Sequence, residues 1–236
     1  MVMRLFARFL SLIFHPIFIP FYAILFLVWL NPYAYGPLPV GFNDIIADPV
    51  GAMQFSFKWL FTSALSAAFV IRTVLLWTIF FPLFIILLMR QLDFIDSFTT
   101  ADVRQRILMS IPVSCMLIWT LIVFYKNLPN DFYHDKITAI MLGTTIALSM
   151  AIIIMSVSEK ISLHAMGMGG LFAVVLYATN IATFDISYFI MGALFLGGLV
   201  GTARLQLGEH KPREVYSGYL LGFLSQASAL IFLVST

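Results

Sequence analysis

The residues best suited to chemistry lie in one short polar segment, Ala203 to Glu214, between two apolar runs. Arg204 precedes His210 by six residues, and Glu214 follows His210 by four. If a helix begins near Pro212, a residue favoured in the first turn, Glu214 lies back towards His210. A carboxylate that accepts the imidazole Nδ1–H fixes the tautomer and leaves Nε2 free to attack.

A phosphoryl group is the electrophile that suits this segment. Arg204 offers a planar fork of donors that matches phosphate oxygens. The start of the following helix adds unsatisfied backbone N–H groups and the positive end of a dipole, and both favour an anion. The segment therefore indicates phosphoryl transfer to a histidine nucleophile.

Further polar residues of the right kinds lie at two earlier breaks between apolar runs. His164 is a candidate to protonate the leaving oxygen, and Ser162 can donate a hydrogen bond to phosphate. Arg104 and Arg106 can stabilise the transition state, although both also fit simple anchoring at a positively charged membrane face. This chemistry requires no metal ion or other cofactor, and no ligand cluster in the sequence suggests one.

Composition indicates that these residues are positioned by membrane helices. Of the 236 residues, 61% are hydrophobic and only 10% are charged, too few charges for the surface of a soluble domain. Several apolar runs reach the ~20 residues that cross a bilayer. We therefore expect an all-α, polytopic transmembrane bundle that forms a single domain over 1–236. The net charge of +2 gives no indication of a nucleic-acid partner, and the single Cys115 excludes a disulfide framework.

The apolar runs predict about six to seven membrane segments. The segments are Leu5–Leu30, Thr73–Met89, Ile107–Tyr125, Ile137–Val157, Ala165–Phe184, Ser187–Thr202 and Val215–Val234. After the first segment, the sequence predicts a loop over Asn31–Gly51. The run Ala52–Ile71 favours an interfacial or re-entrant helix, and a full span is the alternative.

Counting segments places three polar junctions on one membrane face. The junction with Arg104 and Arg106 follows two spans, His164 follows four, and the segment from Arg204 follows six. These junctions therefore predict one composite site. His15, inside the first segment, is interpreted as a kink histidine bonded to a neighbouring helix, with a role in the site as the alternative.

The chain resembles the type 2 phosphatidic acid phosphatase superfamily of membrane lipid phosphatases over a core of about 90–236, firmly from Ser162 to Gly222 and loosely from Arg90. The third motif of that family is Ser-Arg, five residues, His, three residues, Asp. Arg204, His210 and Glu214 have this spacing, with Ala203 and Glu214 in place of the serine and the aspartate. The second motif, Pro-Ser-Gly-His, is matched in part by Ser162-Leu163-His164. The first motif, Lys, six residues, Arg-Pro, is absent in that form, and Arg104 and Arg106 lie in the expected part of the chain.

This resemblance implies metal-independent hydrolysis of a lipid phosphomonoester or diphosphate through a phosphohistidine. It implies His210 as nucleophile, Glu214 as its orienting carboxylate, His164 as general acid, and Arg204, Ser162, Arg104 and Arg106 as phosphate-binding residues. Implied substrates are phosphatidate, phosphatidylglycerophosphate, undecaprenyl diphosphate or lipid A phosphates in a bacterial inner membrane. The alternative is a catalytically degenerate member that acts as a lipid-binding or assembly protein. Which membrane face carries the site, and the oligomeric state, stay open.

Overall fold

The computed structural model describes residues 2–30, 66–96, 102–127, 134–158, 160–182 and 184–234. Within these ranges the chain is helical and has no strand. The helices are α1 (Val2–Ile13), α2 (Ile19–Leu30), α3 (Ser66–Leu75), α4 (Phe81–Gln91), α5 (Val103–Asn127), α6 (His134–Val157), α7 (Leu163–Tyr177), α8 (Ser187–Gln206) and α9 (Pro212–Val234). A π-helical turn, Leu76–Phe80, joins α3 to α4, and a 3₁₀ turn, Ala178–Asn180, follows α7.

Six helical stretches in these ranges are long and apolar enough to cross a membrane. They are Ile71–Gln91, Val103–Lys126, His134–Val157, Leu163–Asn180, Ser187–Gln206 and Pro212–Val234. The prediction of an all-α, multi-pass membrane protein is therefore confirmed. Several of these helices extend further at their ends than predicted, so that Arg104 and Arg106 lie within the first turns of α5 and Arg204 in the last turn of α8.

The first predicted segment, Leu5–Leu30, is wrong as a single span, because the chain breaks between α1 and α2. Pro16 has no N–H to continue the helical ladder, and it disfavours helical geometry at the residue before it. Instead, the backbone N–H of Phe18 bonds to the carbonyl of His15 at 2.9 Å and closes a tight turn. The remaining helix α2 has only 12 residues. The sequence indicated a kink within one helix. The structure has instead a turn over 14–18 between two helices, which is called the corner below.

The sequence predicted that an interfacial helix Ala52–Ile71 ends before a span that begins at Thr73. This boundary is also wrong, because no break lies there in the described residues. The helix runs without interruption from Ser66 through the π turn into α4. The wide turn lies just before Pro82, whose missing N–H would have broken regular α-helical bonding there. The rest of that predicted helix and the loop Asn31–Gly51 lie outside the described residues.

Glycines allow α9 to pack directly on the backbone of α7. A Cβ on Gly218 would lie 2.6 Å from the carbonyl oxygen of Ser162, and a Cβ on Gly222 would overlap the carbonyl of Met166. On α7, a Cβ on Gly169 would overlap the carbonyl of Tyr219. These glycines of α7 and α9 are therefore packing residues, which let the two helices approach closely. They also hold the start of α7 against the start of α9, where the candidate site lies.

Candidate active site

His210 lies in the short turn between α8 and α9, and Glu214 holds its ring. His210 is 7% exposed, and its Nδ1 lies 2.7 Å from Oε2 of Glu214. Glu214 is the third residue of α9, and the same oxygen accepts the backbone N–H of Lys211 at 3.3 Å. A carboxylate that reaches back in this way is one half of a capping box. The start of α9 therefore fixes Glu214, and Glu214 fixes the imidazole.

Arg106 approaches the other nitrogen of the same ring. Its Nη1 lies 3.2 Å from Nε2 of His210, although 104 residues separate the two in sequence. A guanidinium only donates hydrogen bonds, and a carboxylate only accepts them. Arg106 and Glu214 therefore select the same tautomer, with the proton on Nδ1 and the lone pair on Nε2. A histidine in this form has its nucleophilic nitrogen beside a cation.

Arg204 is a buried cation at the end of α8, only 5% exposed. Its Nη1 donates to Oγ of Ser11 at 3.2 Å, and its Nη2 forms an ion pair with Glu209. Its Nε has no hydrogen-bond partner in the described part of the chain. Gly208 has a φ of 72°, in the left-handed region that glycine adopts most easily, and it turns the chain so that Glu209 meets Arg204.

His164 lies in the first turn of α7 and is tied to the N-terminal helix. Its Nε2 is 3.0 Å from the backbone carbonyl of Ser11. Because a carbonyl only accepts, that nitrogen carries a proton. The ring of His15 packs edge to face on the ring of His164, with centroids 5.3 Å apart and planes at 85°. Helix α1 and the corner after it therefore form one wall of the site.

Two predicted phosphate-binding residues have other surroundings. Ser162 is fully buried, and its Oγ accepts the backbone N–H of Ala165 at 3.4 Å, as the N-cap of α7. Its own N–H donates to the carbonyl of Glu214 at 3.1 Å. Arg104 is exposed on α5, and no contact among the described residues joins its side chain to the site. Their phosphate-binding roles stay predictions.

Burial and neighbouring cations keep two of these histidines uncharged. Burial lowers the pKa of His210 below its usual range, and the charges of Arg106 and Arg204 lower it further against the opposing hydrogen bond to Glu214. Burial, with a contribution from Arg204, lowers the pKa of His15 to about 4. Both rings are therefore neutral at pH 7, the state in which a histidine can attack or accept.

Sequence reasoning missed Ser11 and Glu209 and treated His15 as structural. Ser11 has no recognisable motif, and it joins the site only because the chain turns at Pro16. Glu209 lies in sequence between Arg204 and His210, both predicted site residues, and directly follows Gly208. This position was the signal that could have identified it. The structure thus brings together five of the predicted residues, and adds Ser11 from α1, His15 from the corner after it and Glu209 from the turn before α9. The five are His210, Glu214, Arg204, Arg106 and His164.

No group of three or more His, Cys, Asp or Glu side chains that could hold a metal ion occurs among the described residues. The expectation of chemistry without a metal stays a prediction. Comparison of the chain with protein-family models, with curated proteins and with solved structures finds no match in any of the three.

Proposed function

We propose that this chain hydrolyses a lipid phosphomonoester or diphosphate, without a metal ion, through a phosphohistidine on His210. One observation carries the proposal. Nε2 of the buried His210 holds its lone pair 3.2 Å from the guanidinium of Arg106, while Glu214 holds Nδ1 at 2.7 Å. The arrangement supplies a nucleophile, its orienting carboxylate and a cation at the attacking nitrogen.

The reaction proceeds in two displacements. In the first, Nε2 of His210 forms a bond to phosphorus while the bond from phosphorus to the lipid oxygen breaks. Glu214 stabilises the positive charge that develops on the imidazole. In the second, water attacks the phosphohistidine and releases inorganic phosphate, which regenerates the free ring.

Arg204, which is buried, and Arg106, which is half-buried, suit the charge of the transferring group. Phosphoryl transfer spreads negative charge over three equatorial oxygens, and catalysis depends mostly on preorganised positive groups around them. Arg106 lies at Nε2 of His210, and Arg204 affects the pKa of the same ring. A phosphate that enters at Nε2 accepts the N–H groups of Arg106 that now point at the ring nitrogen.

A lipid is the substrate class that fits the position of these groups in the bundle. Arg106 and Arg204 lie at ends of membrane-spanning helices, and His210 lies in the turn between two of them, at the level of lipid headgroups. Large apolar side chains on the same helices are exposed beside the site, among them Leu108, Leu205 and Tyr216. A headgroup phosphate can therefore reach the site while its chains remain along the helices, in the inner membrane that the family resemblance suggests.

The proposal is tested by phosphate release from purified protein in EDTA, with phosphatidate, phosphatidylglycerophosphate and undecaprenyl diphosphate in mixed micelles. We expect release from at least one lipid by the parent, and loss of at least about 10³-fold in His210→Gln, as for removal of other catalytic nucleophiles. The labelled protein trapped during turnover should carry phosphate that is stable in base and lost in acid, and His210→Gln should not.

The matched control is His134→Gln, which changes a histidine that bonds Asp135 and the carbonyl of Tyr125 at the start of α6. We expect it to keep the phosphatase activity of the parent. Equal loss in both variants, with both proteins folded by size-exclusion chromatography and thermal melting, would contradict a special role for His210.

A second candidate, a lipid-binding or assembly protein without turnover, is favoured by one observation. The buried Arg204 already contacts Ser11 through Nη1 and Glu209 through Nη2. Groups of the protein itself therefore hold two of the nitrogens that a phosphate would bind. A parent protein that binds these lipids in EDTA but releases phosphate from none of them would support this candidate over hydrolysis.

A further inference from the structure

We infer that His15 donates the proton to the leaving oxygen, the role that the family resemblance implies for His164. The inference rests on the proposed function and adds a catalytic residue from the corner between α1 and α2. It follows from which nitrogens of the two stacked rings carry protons and which of those protons are already bonded.

The proton of His164 is committed to the protein backbone. Its Nε2 donates to the carbonyl of Ser11 at 3.0 Å, and a carbonyl gives no other choice of donor. In the neutral ring the remaining Nδ1 then has a lone pair and no proton. The neutral ring of His164 is therefore an acceptor and a packing surface, and only a second proton, on Nδ1, would make it a donor to an alkoxide.

His15 has the opposite arrangement. Its Nδ1 accepts the backbone N–H of Ile17 at 3.4 Å, so the proton of the neutral ring lies on Nε2. The described residues give that N–H no hydrogen-bond partner. The ring packs on His164, and the charge of Arg204 acts on it. His15 thus brings an uncommitted N–H to the cluster of site residues.

The charges around His15 explain how it becomes an acid only with substrate present. His164 faces it from α7, and the cation of Arg204 faces it from α8. In the free protein burial, with a smaller contribution from the charge of Arg204, lowers its pKa to about 4, and the ring is neutral. A bound phosphate brings negative charge to Arg204, offsets that cation and favours the imidazolium. The ring therefore takes up a proton on Nδ1 as the substrate binds, and this proton displaces the 3.4 Å hydrogen bond from the backbone N–H of Ile17.

The step balances in protons and bonds. As His210 Nε2 bonds to phosphorus, the bond from phosphorus to the lipid oxygen breaks, and the electron pair goes to that oxygen. The imidazolium of His15 gives its Nε2 proton to the oxygen, so that the lipid leaves as a neutral alcohol. In the second displacement, neutral His15 takes a proton from the attacking water, and inorganic phosphate leaves.

The test compares two substrates that differ in whether the leaving oxygen needs a proton. One is an alkyl phosphate, phosphatidate, and the other is an alkylated 4-nitrophenyl phosphate, whose phenolate leaves without protonation. His15→Phe preserves a ring against His164 and removes both nitrogens. We expect this variant to lose about 10²–10⁴-fold in kcat on phosphatidate, the usual contribution of a general acid, and less than about fivefold on the nitrophenyl ester.

A conservative variant and a matched control complete the test. His15→Gln places an amide N–H near the former Nε2 and should bind phosphatidate with a KM close to that of the parent, while its kcat stays low. Phe18→Leu changes the other ring that packs on His15 and should leave the ratio of the two rates unchanged. Equal losses of His15→Phe on both substrates, or no loss on either, overturn the inference while the proposed function stands. A parent that hydrolyses neither substrate overturns both.

Discussion

Two histidine–carboxylate pairs lie at different helix starts, and their second nitrogens have opposite surroundings. At the start of α9, His210 Nδ1 contacts Glu214, and Nε2 faces the guanidinium of Arg106, which is a donor. At the start of α6, His134 Nδ1 contacts Asp135 at 2.9 Å, and Nε2 faces the carbonyl of Tyr125 at 3.2 Å, which is an acceptor. The same pair of residue types therefore has a hydrogen-bond donor at Nε2 in one place and an acceptor in the other.

Burial separates the two pairs as well. The side chain of Glu214 is 11% exposed, whereas that of Asp135 is 57% exposed. A buried carboxylate is screened little by water, so that it orients and polarises its imidazole more strongly. The pair at α6 ties the start of that helix to the end of α5. Only the pair at α9 has the surroundings of a nucleophile.

The largest expected difference between the pairs comes from their carboxylates. Glu214→Gln removes the charge and allows an amide to select the wrong tautomer of His210, and we expect kcat to fall about 10²–10⁴-fold. Asp135→Asn should leave kcat within about twofold, because it is exposed and remote from the reaction. Phosphate release from phosphatidate measures both. Equal effects of the two changes would remove the distinction drawn between the pairs.

The arginine at Nε2 should have the next largest effect. Arg106→Ala removes the cation beside the attacking nitrogen, and we expect kcat to fall about 10²–10³-fold, as for loss of one transition-state donor. Arg104→Ala, two residues earlier on the same helix and exposed, is the control and should change kcat by less than about threefold. Steady-state kinetics on phosphatidate measures kcat for both arginine variants. A larger loss in Arg104→Ala would restore the phosphate-binding role predicted for that residue.

The protonation of His210 sharpens the comparison further. Because burial and two arginines lower its pKa, its ring should stay neutral as pH falls through the ordinary range of histidine near 6.5, and charge only below it. Glu214→Gln removes the group that opposes this lowering, so that the pKa should fall again. Nitrogen NMR of labelled histidine in detergent micelles, assigned with His210→Gln, measures both. A ring that becomes charged above pH 6.5 in the parent would contradict this account.

The smallest expected effect is that of changing Glu209, whose carboxylate is the anion that the protein itself places on Arg204. Glu209 pairs with Arg204, and its carboxylate competes with a substrate phosphate for that guanidinium. Glu209→Gln should lower KM for phosphatidate by a few-fold, roughly the effect of one partly exposed ion pair, with kcat little changed. Lys211→Gln in the same turn serves as a control. A higher KM in Glu209→Gln would show that the carboxylate helps to hold Arg204 in place for substrate.

The sequence predicted the bundle and the spacing of the pair at α9 because both depend on local rules. Runs of apolar residues determine where helices cross the membrane, and Pro212 with Glu214 marks a helix start whose first turn faces His210. The count of spans also placed the junctions of Arg106, His164 and Arg204 on one face, and the structure brings Arg106 to His210 and both Arg204 and His164 to Ser11.

The sequence could not predict the wall formed by α1, because tertiary packing decides it. The break at Pro16 was visible, but the direction of the chain after a break depends on which surface α1 buries. Ala7 and Leu10 pack against Ala203 of α8, and this contact brings Ser11 to Arg204 and His164. The orientation of individual nitrogens, on which the roles of His164 and His15 depend, follows only from these contacts.

The glycine contacts between α7 and α9 have a consequence for how the protein is made. A chain enters the membrane from its N-terminal end, and α9 is the last helix of the described part to do so. Until its glycines fit against the backbone of α7, the start of α9, which carries His210 and Glu214, has no fixed place beside Arg106. Under the proposed function the complete site is therefore absent during insertion, and a chain arrested before α9 is in place presents no phosphatase site to the lipids around it.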